Sequence, residues 1–478
     1  MNFTSPLFLF YFLPIVLVTY YAAARYSSTL RKWVLILFSV LFYAWINPWF
    51  VVLLLGVAVL NYVCARRMAG HPAVRQRRLW VIAGVTLDLL VLIFFKYTVF
   101  IQGNLNALLG RLDIAPLPLL QVVLPIGVSF YIFKAISYLV DVYRDKGDAG
   151  SLVELVCYLS FFPQVLSGPI QRFASIDRKN DEVLSFIEQI RHPTWIGERT
   201  AQGIILFMLG FSKKVLVADY VMKIADKVFA ARNPGTLETW FGTLAYSFQL
   251  YFDFAGYSDM AIGLGLMTGL ACARNFNAPY RAHSITDFWR RWHISLSGWF
   301  RDYLYITLGG GRRRPLRVYM NLVIVFLLCG LWHGAAWTFV VWGAYHGLLL
   351  VLERLCGNRP FYAFLPKSGR ILLTFLLISV GWVFFRAPSM LAAWDHLAVM
   401  FIPTPSQGPS LLLAAQIFSR GTLLMMALCA LLAFQPRQGF DWSMRVSWSR
   451  TAVATGLFVM AVGTSFAQSF TSFLYFQF

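Results

Sequence analysis

The residues best suited to move a proton or hold an anion fall in two short stretches. The first is "DFWRRWHISLSGWFRDY", Asp287 to Tyr303, where His293 stands among Trp289, Arg290, Arg291, Trp292 and Arg301. The second is "CGLWHGAAWTFVVWGAYHG", which sets His333 and His346 in an otherwise apolar run. An imidazole titrates near ~6.5 when unperturbed, so it can take a proton and return it at neutral pH. His333 is the leading candidate catalyst. Trp332 precedes it, Trp337 lies one turn on, and Gly330, Gly334 and Ala335 are small enough for a substrate chain to approach the backbone. The competing reading of a lone buried histidine is a hydrogen-bonded core residue. His346 comes thirteen positions after His333. On one continuous helix it falls on a different face, so the two need not share a site.

Helical spacing over the first stretch puts Asp287 beside Arg291, Trp289 beside His293 and His293 beside Ser297. Phe288, Trp292, Leu296 and Trp299 then form an apolar stripe on another face. The stretch therefore reads as an amphipathic helix. Two roles stay open for it: an interfacial helix whose arginines face lipid phosphates, or one wall of a cytoplasmic vestibule for an anionic ligand. Arginine forks suit phosphates, and indoles stack on nucleotide bases. "LGGGRRRP" lacks the Gly-Lys-Ser/Thr ending of a P-loop. There is no HExxH and no Cys/His cluster, so no metal is expected, and the six scattered cysteines read as small buried residues.

These groups need a scaffold, and composition says which kind. Of 478 residues, 59% are hydrophobic and 13% charged, too apolar a chain to fold without lipid cover. Solid apolar runs such as Leu79 to Ile101 and Tyr319 to Leu352 indicate helices, where a barrel would alternate. The expectation is an all-α polytopic membrane protein, with roughly 10–12 spanning or re-entrant helices, at ~20 residues each, around a central cavity. It is a single domain over residues 1–478, with no linker or internal repeat. The first apolar segment, Leu7 to Tyr21, has no basic residue before it and reads as retained rather than cleaved. Pro116, Pro118, Pro125, Pro163 and Pro169 interrupt apolar runs, which membranes tolerate only around protein or a water-filled cavity.

The net charge of +20 is clustered in short loops, which points to the positive-inside pattern and away from nucleic acid. Arg66, Arg67, Arg75, Arg77 and Arg78 form one basic loop, and the block Arg281 to Arg317 holds eight arginines against Asp287 and Asp302. Both are expected on the cytoplasmic side, with the N-terminus outside. The polar region Gln171 to Arg199 reads as a cytoplasmic loop with a short helix over Glu182 to Ile190. Inside apolar runs lie Asp88 and Lys96, read as a structural pair or a snorkelling lysine, and Asp253, Ser258 and Asp259, with Asp253 and Asp259 read either as helix-end capping and packing within a polar seam or as functional groups.

Three segments, "QLYFDFAGYSDMAIGLG", "DFWRRWHISLSGWFRDYLYITLGG" and "GLWHGAAWTFVVWGAYHG", resemble the membrane-bound O-acyltransferase (MBOAT) family, and within it the bacterial alginate O-acetyltransferase branch. The resemblance runs from "LFLFYFLPI" to the C-terminal "FLYFQF". It implies the MBOAT fold, with His333 of "LWHG" as the essential histidine and His293 of "WHISLS" at a second polar position. It also implies an acetyl donor such as acetyl-CoA, with no bound cofactor. The donor's nucleotide and phosphates would meet Trp289, Arg290, Arg291, Trp292 and Arg301, with Asp287, Asp253 and Asp259 in support. His333 would act as general base or carry the acyl group itself. A periplasmic acetyltransferase partner would complete transfer to an exopolysaccharide, alginate or a similar polymer such as cellulose, at the bacterial inner membrane. Two rivals stay open. One is transfer of another acyl group, D-alanyl or fatty acyl. The other is a proton-coupled transporter, which an inverted hydropathy repeat would favour.

Overall fold

A computed structural model describes residues 1–173, 185–192, 197–406, 409–467 and 473. Among them the secondary structure is helical throughout, with no strand. Six helices are long and apolar enough to cross a membrane: Phe8–Tyr26, Pro48–Ala69, Val74–Arg111, Pro315–His333, Lys367–Arg386 and Trp448–Ala467. A pair bent by 58°, Leu411–Ile417 and Arg420–Ala433, makes a seventh if counted as one span. The all-α membrane class expected from the apolar runs is what is found. The runs divide differently, because several helices are short and others face protein. Thr236–Met267, for example, buries Asp253 and Asp259.

The chain forms two compact units. The first comprises Met1–Phe207 and Met260–Ala273. Helices α1 (Pro48–Ala69) and α2 (Val74–Arg111) pack together in it. Asn47 caps α1, accepting from the Trp49 amide at 3.0 Å, and Pro48 opens it where no intrahelical amide is needed. Asp88 on α2 is fully buried, and its carboxylate accepts from Asn61 Nδ2 of α1 at 2.9 Å. Lys96, read with it as a structural pair or a snorkelling lysine, stands eight residues further along α2, a rise of about 12 Å, too far for a direct pair. Proline does break the helices. After Pro125 the chain turns through Gly127 at φ +84°, where a Cβ would sit 2.2 Å from the Val165 carbonyl oxygen. In the polar loop a helix covers Phe186–Arg191, capped by Ser185; residues 182–184, where the expected helix began, lie outside the described residues, as do Asp177, Arg178, Lys179 and all of "FLYFQF" but Phe473.

The second unit comprises Met208–Asp259 and Arg274–Phe478. Most of α3 (Thr236–Met267) belongs to it, followed by the short helices α4 (Ile285–Arg291) and α5 (Ile294–Trp299) and the long helices α6 (Pro315–His333), α7 (Trp337–Leu355) and α8 (Lys367–Arg386). Helices α6 and α7 form a tight pair because glycines remove side chains from their contact. A Cβ on Gly330 would sit 2.2 Å from the Phe339 carbonyl oxygen, and one on Gly343 2.3 Å from that of Phe326. Gly334 is filled likewise by the Phe339 ring. Gly330 and Gly334 therefore serve helix packing, not the open substrate approach their size suggested.

Candidate active site

The stretch Asp287 to Tyr303 is not one helix. Helix α4 ends at Arg291, Trp292 is extended, and His293 takes left-handed backbone angles, φ +43°, before α5 begins. Such a conformation is strained for a residue with a Cβ and persists only where neighbours hold it. Here the holder is Asn275. Its backbone carbonyl accepts from the Ile294 amide at 2.9 Å. Its side-chain Oδ1 accepts from the Ser295 amide at 3.3 Å, the Ser295 hydroxyl at 2.9 Å and His293 Nδ1 at 3.0 Å, and its Nδ2 donates to Ser258 on α3 at 3.1 Å. A backbone amide can only donate, so the atom facing it is the Asn275 oxygen, and His293 must carry its proton on Nδ1. That leaves Nε2 as the basic, lone-pair nitrogen. Burial pushes the His293 imidazole down to about 3, so the ring is neutral at pH 7.

Because of this break, Trp289 and His293 face different neighbours. Trp289 packs on Trp342 and His346, at ring distances of 5.7 and 5.1 Å, whereas His293 packs on Phe254 of α3 at 4.6 Å and Trp332 of α6 at 6.2 Å. Trp292 is 1% exposed and lies among Phe276, Tyr280, Phe288 and Trp382. Phe288, Leu296 and Trp299 are buried with it. The charged members stay outside. Arg290 is exposed, Arg291 bonds Asp287 at 2.7 Å one turn back, and half-exposed Arg301 forks onto Asp302 at 2.6 and 2.9 Å. Glu353 of α7 fixes the start of α4, accepting from the Ile285 amide at 2.5 Å, the Thr286 amide at 2.9 Å and the Thr286 hydroxyl at 2.7 Å.

His333 is the last residue of α6, 5% exposed. Gly334 to Ala336 interrupt the helix, so the face reckoning that separated His333 from His346 does not apply. His333 contacts Trp332 at 4.9 Å, Trp342 at 5.1 Å and Phe385 of α8 at 5.2 Å. Trp342 also touches His346 at 5.0 Å. The result is a row of rings, His293, Trp332, His333, Trp342, His346, drawn from the α4–α5 break and the facing ends of α6 and α7. An imidazole so enclosed sits in a water-poor setting.

Asp253 and Asp259 do not cap helix ends. Both lie within α3 and meet lysines: Asp253 with Lys214 at 2.6 Å and Asp259 with Lys213 at 2.5 Å, while Lys214 also meets Asp219 at 2.7 Å. The unit carrying His293 is further tied by Arg274, which forks onto Asp441 at 2.7 and 3.0 Å next to Asn275 in the chain. Asn275, Glu353 and Arg274 escaped sequence reasoning. Only the "ARNFN" cluster of polar residues, after the long apolar α3, marked the place. No group of three or more His, Cys, Asp or Glu side chains fit to hold a metal occurs among the described residues.

Residues 7–391 match the MBOAT, membrane-bound O-acyltransferase family. The chain is 45% identical to the probable alginate O-acetylase AlgI of Pseudomonas aeruginosa, over 84% of this chain and 75% of that protein. To the protein of the same name in Pseudomonas putida it is 41% identical over the whole of both chains. To the peptidoglycan O-acetyltransferase of Helicobacter pylori it is 36% identical, over 83% of this chain and 79% of the relative. The apolar helices and these bacterial relatives together make it a multi-pass inner-membrane protein. With family and relatives in agreement over most of its length, the chain belongs to the membrane-bound O-acyltransferase family and is an O-acyltransferase.

Proposed function

We propose that the chain is an O-acetyltransferase that draws acetyl groups from acetyl-CoA on the cytoplasmic side and passes them across the membrane for O-acetylation of an exopolysaccharide, alginate or a similar polymer. The observation that carries this reading is the ring row that brings His333 and His293, forty residues apart, onto the same Trp332. The relatives' acetyl-transferring names support the acyl group, and the two alginate O-acetylases support the polymer. In this reading His333 takes the proton of the acceptor hydroxyl as its oxygen attacks the thioester carbonyl. The C–S bond breaks, and the sulfur leaves as the thiol, taking from the His333 imidazolium the proton it had accepted. His293, held as its Nδ1–H tautomer, presents Nε2 as a hydrogen-bond acceptor that orients the reacting groups. Exposed Arg290 and half-exposed Arg301 meet the donor's phosphates, with Arg291 held in place by Asp287. Trp289 and Trp292 contribute as buried walls of the donor path. Asp253 and Asp259 brace α3, which supplies Phe254 and Ser258 to the site. The basic loops face the cytoplasm and Met1 the periplasm, by the positive-inside pattern. A periplasmic acetyltransferase takes over the acetyl group and completes transfer to the polymer.

The test compares purified His293→Ala and His333→Ala for acetyl-CoA binding by calorimetry and for thiol release. Loss of an orienting contact weakens binding or partly slows transfer, whereas loss of the base removes the rate and leaves binding near normal. Failure of the wild-type protein to bind or cleave acetyl-CoA would reject the donor. The reverse pattern in the two variants would reject the roles.

A further inference from the structure

His346 has no part in the transfer just described, yet it sits two rings from His333. It is fully buried, and neither ring nitrogen has a hydrogen-bond partner among the described residues. Leaving polar atoms so is costly, and a phenyl ring of the same shape would avoid the cost, so a histidine kept here needs a reason beyond packing. Its neighbours share the feature. Trp289 and Trp342 each bury an indole Nε1 with no partner among the described residues. The three rings touch pairwise, at 5.1 Å for Trp289 and His346, 5.0 Å for Trp342 and His346, and 5.7 Å for the two indoles. Gly381 of α8 keeps a methyl group off the histidine, since a Cβ there would lie 3.0 Å from Nε2.

The chemistry of the missing partner follows from the inventory. A neutral imidazole offers one N–H and one lone pair, and each indole offers one N–H. Three donors therefore stand against one acceptor. Since neither imidazole nitrogen and neither indole Nε1 has a partner among the described residues, no charged side chain of theirs stands within hydrogen-bond reach of the three rings. An anion would find no countercharge there, and a cation no carboxylate. A neutral, acceptor-rich group fits, which is to say a carbonyl.

We propose that His346, Trp289 and Trp342 form a neutral donor subsite that holds a carbonyl oxygen of the acyl donor, its thioester or an amide of its arm, one indole away from His333. This rests on the reading of an acyl thioester as donor. The subsite fixes where the acyl group stops, so that His333 and the carbonyl carbon meet in register.

The full chain is tested as His346→Phe and His346→Gln, in three measurements: ester content of the secreted polymer per membrane-bound protein in cells, unfolding temperature after purification, and KM for acetyl-CoA. His346→Phe is expected to unfold at or above the wild-type temperature while ester content falls at least tenfold and KM rises. His346→Gln, which keeps an N–H and a C=O in that space, should recover a third or more of the loss. A His346→Phe protein that is stable and within twofold of wild type in ester content overturns the proposal. So does one that loses stability together with activity, because the ring nitrogens would then serve the fold. If wild type forms ester in cells but does not turn over acetyl-CoA, the donor reading fails alone. The comparison of stability with ester content in cells still decides the role of His346.

Discussion

Asn275→Ala is the sharpest single perturbation of the site. The side chain makes four hydrogen bonds, and Oδ1 receives three of them. On truncation the Ser258 and Ser295 hydroxyls can rotate to other partners, but two buried N–H groups cannot: the Ser295 amide and His293 Nδ1–H. Each orphaned donor costs about 1–3 kcal/mol, and because the Ser295 bond is long at 3.3 Å, a total of about 2–4 kcal/mol is expected. The left-handed turn at His293 loses its brace as well. Activity should fall for a separate reason. A net bond of about 1–1.5 kcal/mol fixes the proton on Nδ1, so without it the population presenting Nε2 as acceptor drops up to about tenfold. The assay is acetyl transfer by wild type, Asn275→Ala, His293→Ala and the double variant, with unfolding temperatures measured alongside. The double variant is expected to be no slower than His293→Ala alone, since Asn275 acts through that ring. Two results would rule out this role for Asn275: Asn275→Ala within threefold of wild type at an unchanged unfolding temperature, or effects of the two substitutions that simply multiply.

Three further expectations concern the scaffold. Lys214→Met strands Asp219 and Asp253 in a buried setting, and a loss of about 3–5 kcal/mol should lower the unfolding temperature sharply, with partial recovery on adding Asp253→Asn. At Glu154, burial alone would raise the carboxyl, but hydrogen bonds from Arg191 and Ser151 outweigh it and hold the group at about 2 against an ordinary 4.5. A depressed acid contributes stability above its unfolded value and loses it as pH falls through the folded one. Wild type should therefore destabilise between about pH 4.5 and 2 more steeply than Glu154→Gln, as read by melting across that window. On a background without the six native cysteines, Arg313→Cys should react with an impermeant thiol reagent only after the cells are opened; labelling in intact cells would reverse the proposed orientation.

What the sequence made legible was mostly what short range dictates. Solid apolar runs indicated membrane helices, prolines marked breaks, and four-residue spacing paired Asp287 with Arg291, found at 2.7 Å. The break at Trp292–His293 was hidden, because local spacing favoured a continuous helix and the residue that interrupts it, Asn275, lies eighteen positions upstream on another segment. Asp253 and Asp259 stood out as intramembrane acids, but their lysines are 39 and 46 residues earlier, in "FSKKVLVADYV", and nothing local joined them. His346 was set apart from His333 by counting along a helix that in fact ends at His333. Long-range pairings of this kind depend on how helices cross, which periodicity within one helix does not encode.

On the proposed reading, His333 performs the transfer within a scaffold that does not need it for folding. Its imidazole packs on Trp332, Trp342 and Phe385, and these rings keep contacts of their own without it, Trp332 with His293 at 6.2 Å and Trp342 with Phe385 at 5.4 Å. The direct measurement is ester content of the secreted polymer in cells whose only copy is His333→Ala, normalised to protein in the membrane. Wild-type abundance is expected, with no ester above that of cells lacking the protein. Ester at the wild-type level, from a well-expressed His333→Ala protein, would contradict it.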